Sequence, residues 1–142
     1  MALSFLTNNN ISYFTIPVAL FTGPGQKFFD PTNPRTFASR LEKSNLDKES
    51  VARILRAESA SSNGFEGLPL FAAAIVAGNS AGLSNTVLNS LSIGYILTRV
   101  AYNYVYIFLG GNREYAGLRT PVWFVGVVSY MTLFVKAGLA KM

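Results

Sequence analysis

Two stripes of polar residues, spaced for one face of a helix, carry the side chains of this sequence that could do chemistry. The first recurs at positions i, i+3, i+7 and i+10 and consists of Arg56, Ser59, Asn63 and Glu66. The second recurs at i, i+3 and i+7 and consists of Arg99, Tyr102 and Tyr106. Ionisable residues within an apolar helix are costly, so they normally face a shared interior and mark a site.

The composition limits the chemistry that such a site can perform. The 142-residue chain has no cysteine and no histidine, which excludes disulfides, thiolate metal sites, a cysteine nucleophile and a Ser-His-Asp triad. Any reaction must therefore use Arg, Tyr, Glu, Asn or Ser side chains, or a bound cofactor, and no metal site is expected. The net charge of +5 comes from basic residues mixed with acidic ones, so nucleic acid is not an expected partner.

Four apolar segments place the two stripes in a membrane protein. Half of the residues are hydrophobic and only 13% are charged, a balance that favours a lipid bilayer. The segments predict an all-α fold, an integral membrane four-helix bundle that forms a single domain over residues 1–142. The predicted helices cover about residues 4–22, 48–78, 86–109 and 120–140. The second helix should begin in water, with Asp47 as its N-cap.

The basic residues predict the orientation of these helices in the membrane. The long polar segment at residues 25–59 and the loop at residues 110–119 hold most of the Lys and Arg residues. The positive-inside rule therefore places both segments in the cytoplasm. Both termini then lie on the opposite, lumenal side.

The sequence LRTPVWF, residues 118–124, predicts a further polar feature where the fourth helix starts. Thr120 would be the N-cap and Pro121 the first helical residue, so free N–H groups and the positive end of the helix dipole would lie here. Arg119 adds a full positive charge, and together these groups would bind an anion at the membrane surface. Alternatively, Arg119 only anchors the helix at the interface.

Two structural explanations compete with a binding site around the stripes. Glu66 and Arg99 could form an ion pair that only fixes the packing of the helices. Pro69 cannot donate a hydrogen bond to the carbonyl of Phe65, and Gly67 lowers the resistance to bending. The helix should therefore be irregular beside Glu66, either as a packing kink or as the widened mouth of a pocket.

The spacing of the first stripe resembles a known family. The pattern R-x-x-x-A-x-x-N-x-x-E-x-x-P-x-F is matched by Arg56, Ala60, Asn63, Glu66, Pro69 and Phe71. It is similar to the pattern of MAPEG proteins, the membrane-associated proteins in eicosanoid and glutathione metabolism. The later sequences RVAYNYVY and LRTPVWF fit as well, and NPRTFASRLEKS looks particularly like the fungal members. The resemblance covers nearly the whole chain.

The resemblance implies a homotrimer of four-helix subunits in the membrane of the endoplasmic reticulum, with active sites between neighbouring subunits. Glutathione would bind near the cytosolic end, and a lipophilic substrate would approach from the lipid bilayer. Asn63 and Glu66 would hold the glutathione backbone, with Glu66 on its amino group. The other cofactor-binding positions would be Arg56, Ser59 and Arg99. The catalytic positions would be Arg119, which would stabilise the thiolate, Tyr102 and Tyr106.

The function that the resemblance implies is a membrane-bound, glutathione-dependent transferase or peroxidase acting on a small lipophilic electrophile or hydroperoxide. Ser59 departs from the family, because many glutathione-binding members have a second arginine at this position. Trp123 and Phe124 replace an arginine and a serine of the prostaglandin-synthase branch. Two alternatives therefore stay open. One is a glutathione-independent isomerase or cyclase of a hydrophobic secondary metabolite, and the other is a non-catalytic, lipid-binding accessory protein.

Overall fold

The computed structural model describes residues 2–21 and 36–142, and these residues form helices and turns without a β-strand. The α-helices are α1 Ala2–Asn8, α2 Ser12–Phe21, α3 Phe37–Glu42, α4 Lys48–Ser80, α5 Asn85–Tyr104 and α6 Arg119–Leu139. A π-helical turn, Val105–Leu109, extends α5, and a 3-10 turn, Ala116–Leu118, leads into α6. Residue 22 of the first predicted helix and residues 25–35 of the predicted first loop lie outside the described residues.

The segment predicted as one helix over residues 4–22 is divided into α1 and α2 at an asparagine-rich link. The side chain of Asn9 donates a hydrogen bond back to the Phe5 carbonyl at 3.0 Å. The side-chain oxygen of Asn10 accepts from the backbone N–H of Ser12 at 3.1 Å and from its hydroxyl at 2.6 Å. Such local side-chain bonds compete with the helical backbone bonds, which is why the helix stops and restarts here.

Asn89 of α5 fastens this link to the rest of the protein. Its side chain is 1% exposed. Its amide nitrogen donates to the carbonyls of Leu6 and Asn9, each at 2.7 Å, and its oxygen accepts from the N–H of Ile11 at 2.9 Å. One buried amide therefore satisfies three backbone groups that the interruption of the helix would leave unpaired.

The start of α4 confirms the predicted N-cap. The Asp47 side chain accepts a hydrogen bond from the backbone N–H of Ser50 at 2.9 Å. Hydrogen bonding from Ser50 stabilises the ionised carboxylate and lowers the pKa of Asp47. The helix then runs for 33 residues and passes Gly67 and Pro69 without interruption. The irregularity predicted beside Glu66 does not break α4.

The core lies where α4, α5 and α6 pack against one another, with α2 packed on α4 and α5. The rings of Phe71 and Tyr95 stack with centroids 4.0 Å apart, and Tyr130 meets Tyr95 edge-on at 6.1 Å. The other buried members of this cluster are Ala74, Ile75, Leu88 and Leu133. Because the core joins these three helices, it fixes the relative position of the two polar stripes.

The outer surface of the single chain carries many large apolar side chains. Phe14, Leu97 and Val135 are each more than 60% exposed, at 70%, 64% and 61%. By length and composition, one stretch of the described residues could cross a membrane. It is Ala116–Leu139, 24 residues that include an 18-residue window with mean hydropathy 1.6. This stretch includes residues 120–139 of the fourth predicted span, residues 120–140. The other predicted spans are shorter or carry more polar residues where they are described, since α5 alone includes Asn89, Arg99 and Asn103.

Candidate functional site

One polar pocket lies where α4 and α5 meet the start of α6. Its volume is about 250 Å³. Six residues line it: Asn63, Glu66, Tyr102, Arg119, Thr120 and Trp123. Four of these, Asn63, Glu66, Tyr102 and Arg119, belong to the site predicted from the sequence. Three separate helices therefore contribute to one pocket, which joins Asn63 and Glu66 of the first stripe to Tyr102 of the second.

Asn63 and Tyr102 connect the first stripe to the second. The side-chain amide of Asn63 donates a hydrogen bond to the Tyr102 hydroxyl oxygen at 2.9 Å. Tyr102 is 5% exposed, so its ring is fixed by packing while its hydroxyl reaches the pocket. This bond orients the amide of Asn63 and leaves the amide oxygen available to a ligand.

Arg119 lies against the second stripe at Tyr106. The guanidinium carbon of Arg119 is 4.9 Å from the centre of the Tyr106 ring, a distance that allows a cation–π interaction. The rings of Tyr106 and Tyr102 are 5.5 Å apart. Tyr106 does not line the pocket itself, but it lies beneath the cation that does. Its position therefore helps to determine where the positive charge of Arg119 lies.

The predicted cap of the fourth helix is wrong in detail. The helix begins at Arg119, its N-cap is Leu118, and no side chain caps it. The 3-10 turn continues directly into α6, so Thr120 lies within the first helical turn, and it lines the pocket. Pro121 is the third helical residue, where the missing N–H costs nothing. The positive end of the helix dipole still coincides with Arg119.

Arg99 lies behind the pocket rather than in its wall. It is 5% exposed, and its guanidinium carbon lies 4.8 Å from the Tyr102 ring centre and 5.5 Å from that of Tyr95. Within residues 2–21 and 36–142 its Nε atom has no hydrogen-bond acceptor. Gly126 of α6 packs beside it: a Cβ atom there would lie 3.4 Å from Nη2 of Arg99 and would clash with the Thr98 hydroxyl at 2.8 Å.

The ion pair between Glu66 and Arg99, an alternative that the sequence left open, is not present. Glu66 is exposed at the pocket wall, and among the described residues it forms no salt bridge. Its carboxylate is therefore available to a cationic group of a ligand. Within that part of the chain no cluster of three or more Asp and Glu residues could hold a metal ion.

The structure does not bring Arg56 or Ser59 to the pocket, although both belong to the same predicted stripe. Arg56 is held by the Ile107 carbonyl at 3.1 Å and by the Glu49 carboxylate at 2.9 Å. The hydroxyl of Ser59 donates to the carbonyl of Leu55 one turn earlier, at 3.0 Å. The stripe is continuous on the helix, but its first half faces other groups.

The sequence pattern predicts Thr120 only as the N-cap of the fourth helix beside an anion, and it does not predict Trp123 as a residue of the site. Trp123 lies four residues after Arg119 and three after Thr120 on α6, and these spacings place side chains on one helix face and could have identified it. Trp123 is 44% exposed and brings an apolar surface to a pocket that is otherwise polar. The π-helical turn that contains Tyr106 had no signal in the sequence.

The fold and the pocket together define a class of protein. In residues 2–21 and 36–142 it is helical, and an apolar helix long enough to cross a bilayer begins at a pocket lined by a carboxylate and a guanidinium. The chain belongs to the MAPEG family, whose sequence profile matches residues 11–139 and thus includes every residue of the pocket. This family is membrane-associated, and its members generally use glutathione. Comparisons with curated proteins and with solved structures gave no significant match.

Proposed function

We propose that the protein is a membrane-bound, glutathione-dependent transferase or peroxidase that acts on a small lipophilic electrophile or hydroperoxide. The observation that carries this proposal is the pocket in which Asn63, Glu66, Tyr102 and Arg119 converge. Family membership supports glutathione-related chemistry of the transferase or isomerase type. The pocket adds a reason why the chain's own residues suit that cofactor.

The charges of the pocket fit a zwitterionic peptide. Glutathione has one ammonium group, two carboxylates and a thiol. The unpaired Glu66 carboxylate would bind the ammonium group, and Asn63 would bind a peptide group through its free amide oxygen. Arg119 would then hold the thiolate sulfur. The carboxylate, the amide and the guanidinium of the pocket thus each have a counterpart on the ligand, which a purely structural ion pair would not require.

The size of the pocket supports a site completed by a neighbouring subunit. Ligand pockets usually have volumes of about 300–1,000 Å³, whereas this one has about 250 Å³ in a single chain. Arg119 is the cation that a single subunit places in the pocket wall, whereas the ligand has two carboxylates. A homotrimer with sites between subunits would supply more volume and further donors.

Arg119 would promote the reaction by lowering the pKa of the bound thiol. A thiol with a pKa of about 8.5 is only a few per cent ionised at neutral pH, and lowering this by two units needs roughly 2.7 kcal/mol. A guanidinium beside the positive end of α6 can supply that stabilisation. When bound, glutathione supplies the sulfur nucleophile or the reducing equivalents. Tyr102 and Tyr106 would keep the amide and the cation in position around it.

The apolar side chains around Arg119 suggest how a lipophilic substrate would arrive. Trp123 and Phe124 follow Arg119 on α6 and are 44% and 58% exposed. In a bilayer this surface would face lipid or a neighbouring subunit. A lipophilic substrate could then reach the sulfur along α6. In this proposal the subunit has four membrane-spanning helices in the endoplasmic reticulum, its pocket faces the cytosol and both termini face the lumen.

Titration with reduced glutathione tests this proposal. Purified protein in detergent should gain thermal stability at millimolar glutathione, together with ultraviolet absorbance of the thiolate. S-methylglutathione should stabilise the protein without the absorbance, since it keeps the peptide but has no ionisable sulfur. Arg119→Ala should lose the absorbance, while Arg113→Ala, an exposed arginine of the neighbouring loop, should keep it. Absence of any stabilisation by glutathione would contradict the proposal.

A second candidate is a glutathione-independent isomerase or cyclase of a hydrophobic metabolite. The observation that favours it is the position of Arg56 and Ser59, which leaves Arg119 as the cation in the wall of the pocket. In this mechanism Glu66 would accept a proton and the Tyr102 hydroxyl would donate one. Turnover of a lipophilic substrate without glutathione, lost in Glu66→Gln, would support this candidate.

A further inference from the structure

The end of α5 has an unusual backbone at the point where it meets the candidate site. Residues Val105–Leu109 form a π-helical turn instead of continuing the α-helix. A π turn holds one extra residue and so changes the direction of the side chains that follow, and such turns are frequent at functional sites. Tyr106 belongs to this turn, and its ring supports Arg119.

Arg56 of α4 holds this turn through its backbone. The Arg56 Nε–H donates to the Ile107 carbonyl at 3.1 Å. The side chain is only 16% exposed. The guanidinium lies over two glycines: a Cβ on Gly110 would be 3.2 Å from its Cδ atom, and one on Gly111 would be 3.3 Å from Nη2. These contacts place a cation at the carbonyl end of a helix, where it is most favourable.

Glu49 keeps Arg56 in this position. The Arg56 Nη2 atom donates to Oε1 of Glu49, two helical turns earlier on α4, at 2.9 Å. The same oxygen lies 3.8 Å from Arg53, whose guanidinium is 5.8 Å from the ring centre of Phe108 in the π turn. The Glu49 carboxylate therefore joins the arginines of α4 at the point where they contact the turn.

We propose that Arg56, held by Glu49, is a positioning residue that sets the π turn and, through Tyr106, the place of Arg119. The inference rests on the proposed function, because it concerns the same reaction. It also differs from the role that family resemblance implies, in which Arg56 binds glutathione directly. The side chain is bound to the Ile107 carbonyl and the Glu49 carboxylate, and it does not line the pocket.

The two roles of Arg56 predict effects of opposite sign when Glu49 is neutralised. If Arg56 bound a glutathione carboxylate, Glu49 would compete for the same guanidinium, and Glu49→Gln would tighten glutathione binding. If Arg56 holds the turn, Glu49→Gln loosens it and the thiolate loses stabilisation. Glu49 is 60% exposed and lies outside the pocket wall. A direct contact between Glu49 and glutathione is therefore not expected to change the measured affinity.

The experiment uses the full chain in detergent and compares Arg56→Gln, Arg56→Lys and Glu49→Gln with Arg113→Gln and Glu114→Gln. The last two are matched controls, because they remove the same charges from exposed residues next to the turn. Arg56→Gln should lower turnover at neutral pH by about 10-fold and raise the apparent pKa of the bound thiol, with the Kd for glutathione changed by less than about 2-fold. Glu49→Gln should act in the same direction with a smaller effect, and Arg56→Lys should restore part of the loss.

Hydrogen exchange of residues 105–111 without glutathione separates failure of this inference from failure of the proposed function. Exchange there should be faster in Arg56→Gln and Glu49→Gln than in the wild type and in both controls. Unchanged exchange would overturn the proposal even if glutathione binds. Two results would overturn it in favour of direct binding of glutathione by Arg56. One is tighter binding of glutathione by Glu49→Gln, and the other is a raised Kd in Arg56→Gln with an unchanged pH profile. If the wild type does not bind glutathione, the proposed function fails and faster exchange still supports the role of Arg56 in holding the turn.

Discussion

The guanidinium of Arg119 lies over the ring of Tyr106, with 4.9 Å between the guanidinium carbon and the ring centre. Arg119 starts α6 and Tyr106 belongs to the π turn after α5, so this contact joins two helix ends that are separated by a loop. The contact holds an exposed cation beside the pocket. The arrangement explains why a tyrosine outside the pocket wall should influence the chemistry within it.

The first prediction concerns the ring of Tyr106. Tyr106→Phe keeps the aromatic face and should retain most of the thiolate formation, whereas Tyr106→Leu removes it and should reduce activity about 3- to 10-fold. Steady-state turnover and thiolate absorbance at fixed glutathione would measure both variants. A loss in Tyr106→Phe as large as in Tyr106→Leu would instead assign a direct role to the hydroxyl.

The second prediction concerns the bond between Asn63 and Tyr102. Tyr102→Phe removes the acceptor of the Asn63 amide but keeps the buried ring in place. Loss of one such bond is worth about 1 kcal/mol, so the Kd for glutathione should rise about 3- to 10-fold. Tyr104→Phe is the matched control, because Tyr104 is 58% exposed and does not line the pocket. An unchanged Kd in Tyr102→Phe would show that the orientation of Asn63 does not matter for binding.

The third prediction concerns Asn89, which is remote from the pocket. Asn89→Ala leaves the carbonyls of Leu6 and Asn9 and the N–H of Ile11 without their partner. Unpaired buried groups of this kind should lower the free energy of unfolding by about 2–4 kcal/mol. Thermal unfolding in detergent would measure the loss. Asn85→Ala removes one longer hydrogen bond, at 3.3 Å, and should lower the free energy of unfolding by less. Glutathione affinity per folded molecule should not change in either variant.

The fourth prediction concerns pH and the cap of α4. Hydrogen bonding from Ser50 lowers the pKa of Asp47 below its ordinary value of 3.8, so the ionised carboxylate is favoured in the folded protein. The stabilisation is therefore fully present above the unfolded pKa and is lost as the pH falls through the folded pKa. The difference in melting temperature between the wild type and Asp47→Ala should be constant at neutral pH and shrink in acid. A difference that grows as the pH falls would contradict this assignment.

The local helix signals and the general site could be predicted from the sequence. Asp47 caps α4 as predicted, because an N-cap depends on the chemistry of a few adjacent residues. The spacing of Asn63 and Glu66 predicts a shared face, and both residues line the pocket. Family membership follows from the same spacing and is confirmed over residues 11–139. These features depend on local order along a single helix.

The remaining features depend on contacts between distant segments, which periodicity does not describe. Arg56 shares a helical face with Asn63, but a carboxylate at Glu49 and a carbonyl at Ile107 direct its long side chain elsewhere. The π turn, which Arg56 contacts at the Ile107 carbonyl, has no sequence pattern of its own. Thr120 has a side chain that is favoured at an N-cap, but α6 begins one residue earlier, at Arg119, because the 3-10 turn leads directly into it. In each case a tertiary or neighbouring contact outweighs local preference.

The central claim is that Arg119 stabilises a glutathione thiolate in the pocket, and its most direct test is a pH titration of thiolate absorbance at saturating glutathione. The wild type should show an apparent thiol pKa about two units below the ordinary value of about 8.5. Arg119→Ala should return the apparent pKa toward that ordinary value, while Arg113→Ala should behave like the wild type. A wild-type titration that matches free glutathione, or one that Arg119→Ala leaves unchanged, would contradict the claim.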